Sequence, residues 1–191
     1  MFDFAGKRVL ITGGTRGIGR ATADAFIAAG ARVAINGRST DATAKIAAEI
    51  SAIATPGDVV SREGCRRIVA AAASALGGLD ILVTSAGIGP HGPMEEVEEE
   101  LWDSTLDINL KGTFFCTQAA LPHLRRSKGN AVFVASDAGL IGEANHHGPV
   151  YPLQPLTASF SICLTSAMKS PMFASVPEDI CSMFRDPLAR S

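Results

Sequence analysis

Thr12-Gly13-Gly14-Thr15-Arg16-Gly17-Ile18-Gly19 is the stretch whose reading decides the fold of this 191-residue chain. Before it, Lys7-Arg8 lead into Val9-Leu10-Ile11, a short β-branched and aliphatic run with the character of a buried strand. After it, residues 18–30 are rich in alanine and free of proline, and Gly30 punctuates their end, which predicts a helix with a glycine stop. A strand, a glycine-rich turn and a helix start together make a pocket for an anion. Glycine lets the main chain turn tightly and approach a phosphate, and the N–H groups of the helix N-terminus point at it. A bare structural loop has the same glycines, but the strand and helix on either side favour nucleotide binding.

Outward from this stretch the chain alternates. Ala31-Arg32-Val33-Ala34-Ile35-Asn36 predicts a second buried strand, and Ser39 or Thr40 caps a helix with an Ala42, Ile46 and Ile50 stripe. Ala52-Ile53-Ala54 predicts a third strand, ending at Pro56-Gly57-Asp58. Ser61 caps a helix that buries Cys65, Ile68, Val69, Ala72 and Leu76 and stops at Gly77-Gly78. Asp80-Ile81-Leu82-Val83-Thr84 is a fourth strand, running into Ser85-Ala86-Gly87. A long helix is expected over about 96–121, acidic at its start as the helix dipole prefers, with Pro122 kinking or ending it. Ala131-Val132-Phe133-Val134-Ala135 is the fifth strand. This alternation predicts an α/β fold, a doubly wound parallel sheet with the glycine-rich turn at the ligand-binding carboxyl edge.

The pattern breaks near the end. All 19 glycines precede Tyr151, whereas five of the ten prolines follow it. The expected organisation is a dinucleotide-binding Rossmann-like domain over 1–151, incomplete on its C-terminal side, with 152–191 an atypical segment of the same domain. A short amphipathic helix with Leu156, Phe160 and Leu164 fits within that segment.

Composition narrows the function classes. Hydrophobic residues are 47% of the chain, which excludes wholesale disorder. A net charge of −2 gives no electrostatic case for nucleic acid or an anionic membrane. Cys65, Cys116, Cys163 and Cys181 match no zinc spacing and suit a reducing compartment, and no metal is expected. Asp3 stands where a signal peptide carries basic charge, and no apolar run reaches membrane-spanning length, so a cytoplasmic protein is expected.

With these elements in order, residues 4–151 resemble the short-chain dehydrogenase/reductase family. The signature Thr-Gly-x-x-x-Gly-x-Gly is complete at Thr12 to Gly19, and Asp58-Val59, Ala86-Gly87, Asn109-Leu110-Lys111-Gly112 and Ser136 follow in the family's order. The resemblance implies cofactor contacts from Gly13, Thr15, Arg16, Gly17, Ile18 and Gly19, with Asp58 and Val59 at the adenine and Ser85, Ala86 and Gly87 along the ribose wall. Thr84-Ser85 replaces the family's usual Asn-Asn, and hydroxyls take over part of what those amides do. NAD-preferring enzymes usually carry an acid at the end of the second strand, which repels the 2′-phosphate of NADP. Here the turn is Asn36-Gly37-Arg38, and Arg16 lies in the glycine loop. Two guanidinium groups beside the ribose suit a phosphate dianion, so NADP is expected over NAD, although solvated surface arginines read the same way.

The family's chemistry is hydride transfer between nicotinamide and a carbonyl or secondary alcohol. The resemblance implies Tyr151 as general acid or base, Ser136 orienting the substrate oxygen, Asn109 in a proton relay, and Ser170 near the nicotinamide carboxamide or phosphate. The unperturbed tyrosine pKa, near 10, is lowered in the family by a lysine four residues on. Here Tyr151-Pro152-Leu153-Gln154-Pro155 puts proline at that position, which carries no charge. The adjacent His146 and His147 have no third ligand and read as loop residues. Two readings follow: an NADP-dependent reductase of small carbonyls weakened by loss of the lysine, or a non-catalytic nucleotide-binding remnant or isoform. Homo-oligomers in the family form through the long helix and the tyrosine helix, and the altered second helix puts stable dimerisation in doubt.

Overall fold

The computed structural model describes residues 3–90 and 92–136. Tyr151, Ser170, Pro155 and the 152–191 segment lie outside them. Among the described residues, five strands form one parallel sheet: β1 (Arg8–Thr12), β2 (Arg32–Ile35), β3 (Ile53–Ala54), β4 (Ile81–Thr84) and β5 (Asn130–Phe133). Their spatial order is β3-β2-β1-β4-β5, with Val9 beside both Val33 and Ile81, and Thr12 beside Thr84. The helices are α1 (Gly17–Ala28), α2 (Thr40–Glu49), α3 (Arg62–Leu76), α4 (Glu99–Leu106) and α5 (Thr113–Ser127). The order reverses direction at β1, the topology of a doubly wound sheet, and opens a crevice between the carboxyl ends of β1 and β4.

Strand alternation sorts the core into two layers. Leu10, Ala34 and Leu82 face Cys65, Ile68, Val69, Ala72 and Leu76 of α3 and Cys116, Ala120 and Leu124 of α5. Val9, Ile11, Val33, Ile35, Ile81 and Val83 face the opposite layer, with Ala23 of α1 and Ala47 of α2. Each of these large side chains removed from water contributes about 1.5–3 kcal/mol, which holds both helix layers to the sheet. Burial on both faces explains why the strands read as continuous apolar runs.

Local signals place the helix ends as expected. Ser39 caps α2 by accepting from the Ala42 N–H, and Ser61 caps α3 by accepting from the Gly64 N–H. Gly77 ends α3 at φ +79, in the left-handed region. Two guanidinium groups then take the carbonyls that the end of α3 leaves over: Arg8 donates to Gly77 O at 2.6 Å and Arg32 to Leu76 O at 2.8 Å.

Three details differ from the sequence expectation. The fully buried residues of α2 are Thr43 and Ala47; of the expected Ala42, Ile46, Ile50 stripe, Ile46 packs half-buried on the core and Ile50 is buried just past the helix end, whereas Ala42 is exposed. Alanine carries little directional information, and Ala42 faces the cleft described below. The long helix begins with a separate 3₁₀ turn at Met94–Glu96 and is broken by a π-helical stretch, Asp107–Gly112, between α4 and α5. It also continues through Pro122 to Ser127. Pro122 and Gln118, whose carbonyl loses its donor, both lie on the exposed side of the helix. No helix among the described residues is long and apolar enough to cross a membrane.

Candidate cofactor site

A cleft of about 480 Å³ opens along the carboxyl ends of the strands. Its walls come from the turns after β1, β2, β3 and β4, and from Val134 just past β5. Four sequence segments expected at a dinucleotide therefore converge on one space.

The glycine-rich turn is shaped by close packing. At Gly13 (φ +66) a Cβ would stand 2.8 Å from the main chain of Ala86. At Gly19 a Cβ would strike the Gly13 carbonyl, so Gly19 sits behind the turn and permits its curvature. Gly17 (φ +53) faces open space, and Ile18 beside it is 64% exposed. Unlike α2 and α3, α1 has no side-chain cap, and its first turn holds no acid. Close-packed glycines and an uncapped helix start fit a pyrophosphate approaching the main chain.

Thr12 fixes the facing wall. Its hydroxyl accepts from the N–H groups of Ser85 and Ala86, both at 3.2 Å. Thr84 does not share this work: its hydroxyl is buried and has no hydrogen-bond partner among the described residues. Asn109, in the π-helical stretch, accepts from the Ile88 N–H at 2.9 Å and donates to the Ile88 carbonyl at 2.8 Å. Its Oδ1 is also the nearest atom to a Cβ built on Gly87, at 3.3 Å. Both ends of the amide thus hold the wall that continues from Gly87.

Beside the turns after β1 and β2, Arg16 and Arg38 line the same cleft, are exposed, and belong to none of the ion pairs among the described residues. A Cβ at Gly37, between them, would lie 2.6 Å from Thr43 Oγ1 and 2.7 Å from Thr15 Cγ2. A side chain at that point would have to displace the Thr43 or Thr15 side chain. Asp58 spends one carboxylate oxygen on the Val60 N–H at 3.1 Å. Val59 is buried against Gly112, where a Cβ would come within 3.0 Å of it, and its carbonyl accepts from Cys65 Sγ at 3.2 Å. The hydrogen bond with Cys65 and burial both push the Cys116 thiol up, which keeps it protonated in the core.

Of the expected cofactor residues, Thr15, Ser85 and Ala86 also line the cleft, and Gly19 supports it from behind. Ser136 is exposed just beyond β5. Tyr151 and Ser170 lie outside the described residues. Ile88, Ile108 and Val134 line the cleft without having been expected there. Thr12 and Asn36 were legible from strand alternation, which puts them on one face at the sheet's carboxyl edge.

Sheet order, the glycine turn and the converging loops define a Rossmann-type fold. A short chain dehydrogenase family model matches residues 7–152, and the chain belongs to the short-chain dehydrogenase/reductase family of NAD(P)-dependent oxidoreductases. It is 36% identical over 143 residues to L-fucose dehydrogenase of Mus musculus, covering 74% of this chain and 52% of that protein. It is 39% identical over 130 residues to a rhamnolipid-biosynthesis 3-oxoacyl-acyl-carrier-protein reductase of Pseudomonas aeruginosa, covering 66% of this chain and 51% of that protein. The chain thus spans about half the length of the curated relatives it matches. Among solved structures, it is similar to the Pseudomonas aeruginosa RhlG/NADP active-site complex, at TM-score 0.78 and 32% identity, covering 87% of this chain and 69% of that one. A short chain dehydrogenase from Burkholderia cenocepacia in complex with NADP gives TM-score 0.76 at 32% identity, covering 86% of this chain and 69% of that one.

Proposed function

We propose that this chain binds NADP and acts as an oxidoreductase on a small carbonyl or secondary alcohol, with activity reduced by Pro155. The observation that carries the cofactor choice is the turn at Gly37. It carries no carboxylate to hold a ribose diol, a side chain at Gly37 would have to displace Thr43 or Thr15, and Arg16 and Arg38 line the cleft beside it. Both guanidinium groups can donate paired hydrogen bonds to a 2′-phosphate. The two structural neighbours solved with NADP support the same choice.

When bound, NADPH supplies the hydride. The chain's part is to hold the dinucleotide between the glycine turn and the Ser85–Gly87 wall, with Asp58 and Val59 at its adenine end. Ser136 is assigned to the substrate oxygen, Tyr151 to the proton on that oxygen, Asn109 to the relay and Ser170 to the nicotinamide end. Asn109 supports the wall through Ile88, so its amide is already oriented without substrate. Pro155 leaves Tyr151 without the ammonium that lowers a phenol's pKa, which predicts slow turnover rising with pH.

Titration of NADPH and NADH fluorescence tests the cofactor choice. NADPH should bind at least about tenfold tighter, the worth of one charge-assisted contact; equal affinities would reverse it. Reduction of a carbonyl panel tests the enzyme. A rate that Tyr151→Phe abolishes supports it, and a rate that Tyr151→Phe leaves unchanged removes Tyr151 from the chemistry. Pro155 itself favours the second reading, a nucleotide-binding chain without turnover, which tight NADPH binding and no reduction of any carbonyl would establish.

A further inference from the structure

Asn36 follows β2 by one residue and is 1% exposed. Its main-chain N–H donates to Ile11 O, and its carbonyl accepts from the Gly14 N–H, both at 2.9 Å. Its side-chain Nδ2 donates twice, to Thr55 O at 2.9 Å and to Gly57 O at 3.0 Å. Two carbonyls require two donors, which identifies the nitrogen side of the amide. One residue therefore bonds to the glycine-rich turn, stands in the ribose turn, and holds the segment leading to Asp58 and Val59.

That segment needs holding. β3 lies at the sheet edge and is only two residues long. Beyond it, Thr55 N–H reaches Ile35 O at 2.9 Å and Gly57 N–H reaches Gly37 O at 3.0 Å. The carbonyls of Thr55 and Gly57 both find their donor in the Asn36 side chain. The path of residues 55–58, and with it the entry of Asp58 and Val59 into the cleft, depends on that amide.

We propose that Asn36 is a positioning residue for the adenosine half of the bound dinucleotide, setting the spacing between the glycine turn, the ribose turn and the Asp58–Val59 wall. This rests on the NADP reading above. Asn36→Asp keeps the side chain's shape and volume, removes both donors, and sets a carboxylate oxygen against two carbonyls. Asn36→Ser retains one donor on a shorter arm.

The test uses the full chain with 2′,5′-ADP as the adenosine-half probe, measured by calorimetry, alongside thermal unfolding of each variant. Asn36→Asp should weaken 2′,5′-ADP by about tenfold or more, and Asn36→Ser by about threefold, the loss of two donors against one. Hydrogen exchange should rise in residues 55–60 and stay unchanged in residues 81–88. A role confined to stability would lower the unfolding temperature and leave the affinity of the folded protein unchanged, which would overturn the inference. If Asn36→Asp does not fold, Asn36→Ser decides by the same comparison. Failure of the unaltered chain to bind either 2′,5′-ADP or NADPH is a distinct result: it overturns the cofactor reading and this inference with it.

Discussion

Asn109 grips Ile88 at both of its main-chain polar groups, accepting from its N–H at 2.9 Å and donating to its carbonyl at 2.8 Å. A primary amide carries an acceptor oxygen and a donor nitrogen side by side, which lets one side chain satisfy the N–H and the carbonyl of a single residue together. The grip joins the helical layer to the loop after β4, where Ser85, Ala86, Gly87 and Ile88 line the cleft. Asn109→Ala leaves both Ile88 groups without their partner in a half-buried position. The expected cost is about 1–3 kcal/mol of stability in urea unfolding, with NADPH affinity reduced by about tenfold. Unchanged values in both measurements would show that the loop is held by other contacts.

Arg38 and Arg16 carry a sharper prediction, because NADH is an internal control. If they bind the 2′-phosphate, Arg38→Ala should weaken NADPH by about tenfold or more and leave NADH nearly unchanged. Arg16→Ala should act in the same direction. The NADPH loss should shrink at high salt, since both guanidinium groups are exposed and screened. Equal losses for both cofactors would place the arginines on the shared pyrophosphate instead.

Much of this site is legible in the sequence. The glycine turn, the strand ends and the Ser39 and Ser61 caps are local features, each fixed by residues within a few positions. What stayed hidden depends on contacts between distant segments. The Asn109–Ile88 pair spans 21 positions, and the Asn36 side chain reaches 19 and 21 positions to its two carbonyls. The π-helical stretch was hidden for a related reason. Asp107–Gly112 reads as ordinary helix, but Gly112 fits tightly against Val59, a contact no helical period encodes. Pro122 misled by type: on an exposed helix face its missing N–H costs less than the rule for buried positions implies.

Thr84 gives a test in which removing a polar group should help. Its hydroxyl is buried at the end of β4 with no hydrogen-bond partner among the described residues. Thr84→Val replaces that hydroxyl with a methyl of similar size and relieves its desolvation. The expected result is stability equal to the unaltered chain or higher by about 1 kcal/mol. Thermal and urea unfolding measure it, and a loss of more than about 1 kcal/mol would reveal a partner for the hydroxyl.

Asp80 links stability to pH at the opposite edge of the sheet from the cleft. Its carboxylate accepts from Arg8 Nε at 2.7 Å, from Nη2 at 2.9 Å and from the Arg8 N–H at 2.9 Å. The side-chain hydrogen bonds from Arg8 hold the Asp80 carboxyl below its ordinary value, with burial opposing them. A carboxyl whose folded pKa is depressed adds stability that is complete above the unfolded value and disappears as pH falls through the folded one. At neutral pH, Asp80→Asn should therefore cost about 2 kcal/mol, since both side chains are more than two-thirds buried and the pair is only partly screened. Below about pH 4 the gap between the unaltered chain and Asp80→Asn should narrow, and it should close once Asp80 is protonated in the folded state. Urea unfolding across that range reads the gap directly, and a gap that persists undiminished in acid would assign the cost to packing around Arg8 rather than to charge.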